Sequence, residues 1–382
     1  MPRFGLSIIG LVLLALVITA CGDTPPPSST ADASPGAESP AESAAESEAP
    51  ASEAPSTGEG RLGDVQDRGQ LICGVNGELP GFSFLDEASG DYSGFDVDFC
   101  RALAAAVLGD AELVEFRNVA TDQRGPLLQS GDIDVLIRNT TWTVSRDTSW
   151  GLFGPTTFYD GQAIMVNSTL TDATTIDDLA GAAICVQSGT TTELNLADQF
   201  GALGISYEPI VFPEIEPTYG AYEEGRCDAV TSDRSQLVAQ RTAFATPDDH
   251  VILDAVMSKE PLGPVAPLGD DQWFNIVKWV VYATIQAEEL GITQANVEDE
   301  AATSEDPVVQ RFLGALPADA EPFDSGLGLE PDWVVTMISA VGNYGEIYDR
   351  NLGPDTPFEL ERGLNNLWNA DPPGLLYAPP YR

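Results

Sequence analysis

The runs LICGVN (71–76), FDVDFCRALAAAVLG (95–109), AELVEF (111–116), DQRGPLLQSG (122–131) and IDVLI (133–137) alternate strand-like and helix-length segments. That alternation is the mark of βαβ units and a parallel sheet. Within the second run Val97, Cys100, Leu103, Ala104 and Val107 recur at helical spacing and form an inward stripe. Downstream of Tyr159 the rhythm restarts. QAIMVN, AAICVQ, SYEPIVF, DAVTS and HVILD read as strands, separated by helices near Thr192 to Leu203, near Pro217 to Glu224 and from Ser235. Two α/β lobes are the natural reading. Pro261, Gly263, Pro264 and Pro267 interrupt the pattern before the helix DQWFNIVKWVVYATIQAEEL, whose Trp273, Val277, Val280, Val281 and Thr284 line one face and suggest a return crossing to the first lobe. The tail from Val297 reads as several short helices, among them PDWVVTMISAVGNYGEIYDRNL and ELERGLNNLW. Ligands of open α/β sheets bind at the carboxyl ends of strands, so two lobes joined by crossings place a site in the cleft between them.

At the N-terminus, Arg3 and the free amine precede an apolar run from Phe4 to Ala20 that is too short for a comfortable span and reads as an export signal. It ends in Ile18-Thr19-Ala20-Cys21, which resembles a bacterial lipobox whose cysteine sulfur receives lipid. Residues 22 to 60 are Ser, Ala, Pro and Glu with nothing large and apolar to bury, and read as an acidic disordered leash. The expected plan is a lipoprotein signal (1–21), linker (22–60), first lobe (61–160), second lobe (161–257), and a return to the first lobe with a C-terminal helical extension (258–382).

With 382 residues, 43% of them hydrophobic, the chain can bury a sizeable core. Sixty acidic residues against 17 basic ones give a formal charge of −43, which repels phosphate backbones and argues against nucleic acid as a partner. Only Lys259 and Lys278 are lysines. A surface adapted to high salt and a composition bias that keeps an exported protein soluble are both compatible with that.

Four cysteines follow Cys21, and an even number in an exported chain suggests disulfides. Spacing favours Cys73 with Cys100 and Cys185 with Cys227, the latter pair lying beside two strand segments that could be sheet neighbours. Each bridge would contribute about 3 to 4 kcal/mol in the loop-entropy model. No C-x-x-C pair and no second histidine supports zinc, and neither a metal nor a cofactor is expected.

Three segments carry the chemistry. Arg138 to Arg146, RNTTWTVSR, follows a buried strand; Val186 to Glu193, VQSGTTTE, runs from a strand into a helix; and Gly225 to Asp233, GRCDAVTSD, is a strand ending in an acid. The first resembles the strand-loop-arginine motif of the polar amino-acid-binding proteins of ABC importers. These stretches, with PDDHVIL, SKEPLGP, GDDQWF, AEELGIT, VGNYGE, RNLG and the C-terminal YAPP, are similar to the general L-amino-acid-binding subfamily over nearly all of residues 62 to 382. The resemblance implies an α/β, two-lobed periplasmic binding protein fold with two crossover hinge strands and extra C-terminal helices.

It also implies a receptor for free L-amino acids of broad range, working with ABC permease subunits and their ATPase. The protein would be extracytoplasmic and lipid-anchored to the outer face of the bacterial cytoplasmic membrane, in the periplasm or at the cell surface. On that resemblance Arg146 forks the ligand's α-carboxylate, Thr141 and Asn139 contact the ligand, Gly189, Thr190 and Thr191 donate to the carboxylate, and Asp233 holds the α-ammonium. A planar guanidinium suits a carboxylate bidentately, and a helix start with adjacent hydroxyls suits an anion. Asp233 could instead cap the helix that follows. Leu79 stands where the family commonly has an aromatic stacking residue, so Phe82, Trp142 or Tyr159 is expected to line the side-chain pocket, unless it packs in the core.

His250 is the sole histidine, which leaves no Ser-His-Asp or Cys-His site, and none of Glu78, Glu87 or Glu193 announces itself as a catalytic acid. The alternatives of an amino-acid sensor and of a cyclohexadienyl-dehydratase-like enzyme remain, because the same fold serves both.

Overall fold

The computed structural model describes residues 60–167, 170, 173–317, 320 and 323–382. The expected signal segment with Cys21 and the linker up to residue 59 lie outside them. Two five-stranded sheets form the centres of two lobes. In the first, strands are ordered Val114–Asn118, Leu71–Val75, Val135–Leu136, Val265–Ala266, Leu152–Phe153. The first three of these run parallel, as alternation with helices demands; Val265–Ala266 is antiparallel to them, and Leu152–Phe153 pairs antiparallel with it in turn. The second sheet is ordered Glu208–Phe212, Ala183–Gln187, Ala229–Asp233, Gln162–Asn167, His250–Ile252.

Between the sheets, the short strands Phe158–Asp160 and Glu260–Leu262 pair antiparallel in the register Glu260 with Asp160 and Leu262 with Phe158. These are the two crossover strands. Two hinge strands expected as an interruption by prolines are thus a ladder, in which Pro261 still accepts the Trp142 N–H at its carbonyl at 2.8 Å.

The helix Phe95–Leu108 carries Val97, Cys100, Leu103, Ala104 and Val107 into the core of the first lobe, where Trp273 of the helix Asp271–Glu289 is also fully buried and donates its indole N–H to the Asp134 carbonyl at 2.8 Å. The C-terminal extension enlarges this core. The stretch PDWVVTMISAVGNYGEIYDRNL holds two short helices, Trp333–Val341 and Tyr344–Asn351, separated where Gly342 takes φ 78° and Asn343 caps the second in a reciprocal box with Glu346. ELERGLNNLW is not a helix: a single 3-10 turn, Gly363–Asn365, interrupts irregular chain. Asn365 there trades hydrogen bonds with the backbone of Tyr159, receiving its N–H at 2.6 Å and donating to its carbonyl at 3.2 Å. A side chain serving a strand edge has replaced helical self-pairing. The Tyr344 hydroxyl donates to the Thr157 carbonyl at 2.7 Å, and the Tyr348 ring stacks on Phe158. Three successive residues of the hinge approach are therefore held by the extension.

Both expected disulfides are present, Cys73 to Cys100 and Cys185 to Cys227, with Cα atoms 6.1 and 5.7 Å apart. Cys185 lies opposite Val230 in the parallel pair that brings AAICVQ beside CDAV.

Candidate functional site

The two lobes are shut on each other. Asn139 Nδ2 donates to Gln236 Oε1 at 3.3 Å, Gln187 Nε2 to Thr121 Oγ1 at 2.9 Å, Arg124 Nη2 to the Gly189 carbonyl at 3.3 Å, and the Thr141 and Thr191 hydroxyls lie 3.3 Å apart. These contacts enclose a cavity of about 30 Å³. Entry of a solute as large as an amino acid into so narrow a space requires the lobes to part.

One wall is cationic. Arg146 sits on the short helix Val144–Ser149, which Thr143 caps by accepting the Arg146 N–H at 3.3 Å. Its Nη1 donates to the Thr141 carbonyl at 3.0 Å, so the five-residue spacing between the two serves to aim the guanidinium. Arg138, at the end of the strand Val135–Leu136, donates Nε to the Val119 carbonyl at 2.6 Å, and Arg124 donates Nε to the Thr121 carbonyl at 2.9 Å. The Trp150 ring lies 4.9 Å from the Arg146 guanidinium carbon and 5.4 Å from that of Arg124. A cation over an aromatic face is favoured, and Gly125 makes room for that ring, since a Cβ there would come within 2.7 Å of it. All three arginines are buried, and among the described residues none is in an ion pair. Burial lowers the pKa of each, that of Arg138 to about 10.

The other wall is acidic. Asp233 ends the strand Ala229–Asp233 and precedes the helix Arg234–Arg241, yet its side chain makes no capping bond to that helix. The residue is 6% exposed, and its Oδ1 is buried without a hydrogen-bond partner. Burial first, then the neighbouring charges of Asp160 and Glu260, push its pKa well above the usual carboxylate range, while Arg146 and Arg124 oppose the shift. Asp160 itself is raised to about 6, chiefly by burial. An orphaned buried carboxylate is costly, and facing a cation wall across a cavity it is suited to a ligand that carries both charges.

Of the expected residues, Asn139, Thr141, Arg146, Thr190, Thr191 and Asp233 converge on the cavity. Asn139 does so with φ 30°, in the left-handed region that asparagine tolerates better than most residues, a strain that functional sites concentrate. Thr190 is the N-cap of Thr191–Leu203, accepting the Glu193 N–H at 3.0 Å.

Gly189 departs from expectation: its N–H is taken by Glu193 Oε2 at 2.9 Å, and it is not part of the cavity lining. The three aromatic candidates also lie elsewhere. Phe82 is fully buried in the first-lobe core, edge-on to Phe95 and Phe158. Trp142 is 41% exposed and stacks on Phe153, and Tyr159 is on the hinge strand. The structure makes the lining polar instead, with Thr121, Arg124, Arg138, Gln187, Ser232 and Gln236 added. An arginine directly ending the buried run IDVLI was the available signal for Arg138. His250 lies in the second-lobe core, its Nδ1 2.9 Å from the Tyr222 hydroxyl.

Residues 71–351 match the family model for bacterial extracellular solute-binding proteins, family 3. The chain is similar to the general L-amino acid-binding periplasmic protein AapJ of Rhizobium johnstonii, 52% identical over 84% of this chain and 92% of that one. It is 46% identical to the glutamate/glutamine/aspartate/asparagine-binding protein BztA of Rhodobacter capsulatus, over 84% and 93% of the two chains. An ABC transporter periplasmic binding protein from Brucella ovis, solved with glutathione bound, superposes with a TM-score of 0.80 at 50% identity, covering 84% of this chain and 99% of that one.

Proposed function

The chain belongs to the bacterial extracellular solute-binding proteins of family 3, and on that footing we propose that it captures free L-amino acids of broad range through their shared head group and hands them to an ABC permease. The observation that carries this reading is the orphaned Asp233 carboxylate facing the guanidinium of Arg146 across the interlobe cavity. Arg146 takes both oxygens of the α-carboxylate, with the hydroxyls of Thr141, Thr190 and Thr191 beside it, and Asp233 takes the α-ammonium. These two residues belong to opposite lobes, so the ligand stabilises the closed state by contacts that exist only there.

Arg124, Arg138 and Gln187 meet the side chain, which favours ligands ending in oxygen acceptors, the class named for the Rhodobacter relative. Neutral side chains bind more weakly rather than not at all, because the head group supplies most of the affinity. An extracytoplasmic tether through lipid on Cys21 completes the reading, supported by the Ile18-Thr19-Ala20-Cys21 run. A thermal-shift screen of the full chain against the twenty L-amino acids and their D-isomers tests it. Shifts with many L-isomers, largest for glutamate, aspartate and their amides, are expected; a chain indifferent to all of them refutes it. Cys21→Ser moves the protein out of the membrane fraction if the anchor is there.

A further inference from the structure

The hinge carries a charge arrangement that the head-group reading leaves unused. Glu260 and Asp160 are directly opposed in the two-stranded hinge ladder, where facing side chains lie about 5 Å apart and like charges are destabilising. Each acid is nevertheless retained and tied to the start of a second-lobe helix. Glu260, 1% exposed, accepts from Thr191 Oγ1 and Asn195 Nδ2, both at 2.8 Å, and from the Ser258 hydroxyl. Asp160 accepts from Ser235 through both its N–H and its hydroxyl, and from the Gly161 N–H at 2.8 Å. Those helices begin at Thr191 and just after Asp233, the residues that border the cavity.

Every one of these donors is neutral. Among the described residues no ion pair reaches Asp160, Glu260 or Asp233, and Lys259, next to Glu260 in sequence, is exposed and makes none. Asp233 is the one of the three with an oxygen that nothing satisfies. Hydrogen bonds from hydroxyls and amides stabilise buried carboxylates but do not cancel their mutual repulsion. Arg146 and Arg124 offset part of it from the opposite wall, and a positive charge beside Asp233 would offset more.

We infer that Asp160 and Glu260 are positioning residues for ligand charge: the hinge carboxylate pair strengthens the pull of the Asp233 corner on a cationic group seated there, and so selects α-amino acids over isosteric acids that lack the amine. The inference rests on the proposed amino-acid reading and adds to it the source of the amine requirement. Asp160 and Glu260 are held beside Asp233 by hydrogen bonds to the second-lobe residues Ser235, Thr191 and Asn195, and a ligand ammonium adds a cation on their side of the cavity to the partial relief that Arg146 and Arg124 give from the other. Glu260 also hydrogen-bonds Thr191, which touches Thr141 of the first lobe, so the hinge acid is linked to the closing contact itself.

The test compares L-glutamate with (S)-2-hydroxyglutarate, which puts a neutral hydroxyl where the amine stands, on the full chain by competition binding. The affinity ratio of the two is measured for the wild type, Glu260→Gln and Asp160→Asn, with folding checked by circular dichroism. Either neutral variant should lower the preference for the amine about tenfold, the middle of the range for directly coupled groups, with the hydroxy acid losing little. A purely structural role for the hinge acids would weaken both ligands equally and leave the ratio unchanged, and that result overturns the inference. Should one variant fail to fold, the other decides. Failure of the wild type to bind L-glutamate or any other L-amino acid refutes the amino-acid reading itself, a different outcome from an unchanged ratio.

Discussion

The first-lobe wall of the cavity and the wall made by the second lobe and hinge treat their charges differently. Arg124, Arg138 and Arg146 are each fixed by a backbone carbonyl, at Thr121, Val119 and Thr141 respectively, and two of them lie over Trp150. Asp233, by contrast, is held by nothing at Oδ1 and is crowded by Asp160 and Glu260. The cationic wall is therefore preorganised within one lobe, whereas the acidic wall keeps one oxygen, Asp233 Oδ1, without a partner among the described residues. Under the proposed function, a ligand carboxylate would dock on the first lobe while the cleft is open, and its ammonium would then draw the acidic wall over it.

The contrast breaks most visibly at Arg146. Arg146→Ala should weaken every amino acid alike by about a thousandfold, within the range for truncating one member of a buried charge pair, as calorimetry would read. Asp233→Asn should cost L-amino acids about a hundredfold yet raise the melting temperature of the ligand-free protein, because an orphaned buried carboxylate is removed; a lowered melting temperature would mean that Asp233 is satisfied without ligand. Arg138→Gln should change the ranking, weakening glutamate about tenfold while leaving alanine nearly unchanged, in a competition series.

A smaller effect separates the walls by pH. Asp160 ionises near 6 in the folded protein, raised mainly by burial, against about 3.9 in an unfolded chain. Between those values the unfolded state has released a proton that the folded state keeps, so this group lowers stability as pH rises through the window and adds no further slope above it. In Asp160→Asn that component disappears, and the melting temperature of the wild type relative to the variant should fall from pH 4 to pH 6.5. Trp142→Ala should have the least effect, less than about twofold on any ligand, since the ring stacks on Phe153 outside the cavity.

Much of this architecture is legible in the sequence. Two rounds of strand and helix periodicity, the disulfide spacing and the RNTTWTVSR, SGTTTE and TSD segments lead to the lobes, the bridges and six of the cavity residues. What escapes is set by long-range packing. Phe82 reads as a pocket aromatic because its loop does, and only the tertiary structure shows the ring closing a cluster with Phe95 and Phe158. Glu260 and Asp160 are a hundred residues apart in sequence and meet through hinge register alone. ELERGLNNLW has helix-forming residues, but Asn365 spends its amide on the hinge strand, a tertiary contact that local propensity does not contain.

The most direct test of the account is a crystal structure of the full chain with L-glutamate. The α-carboxylate should lie on the Arg146 guanidinium and the α-ammonium within hydrogen-bonding distance of Asp233 Oδ1. A ligand bound outside the interlobe cavity, or one whose ammonium points away from Asp233, would contradict it.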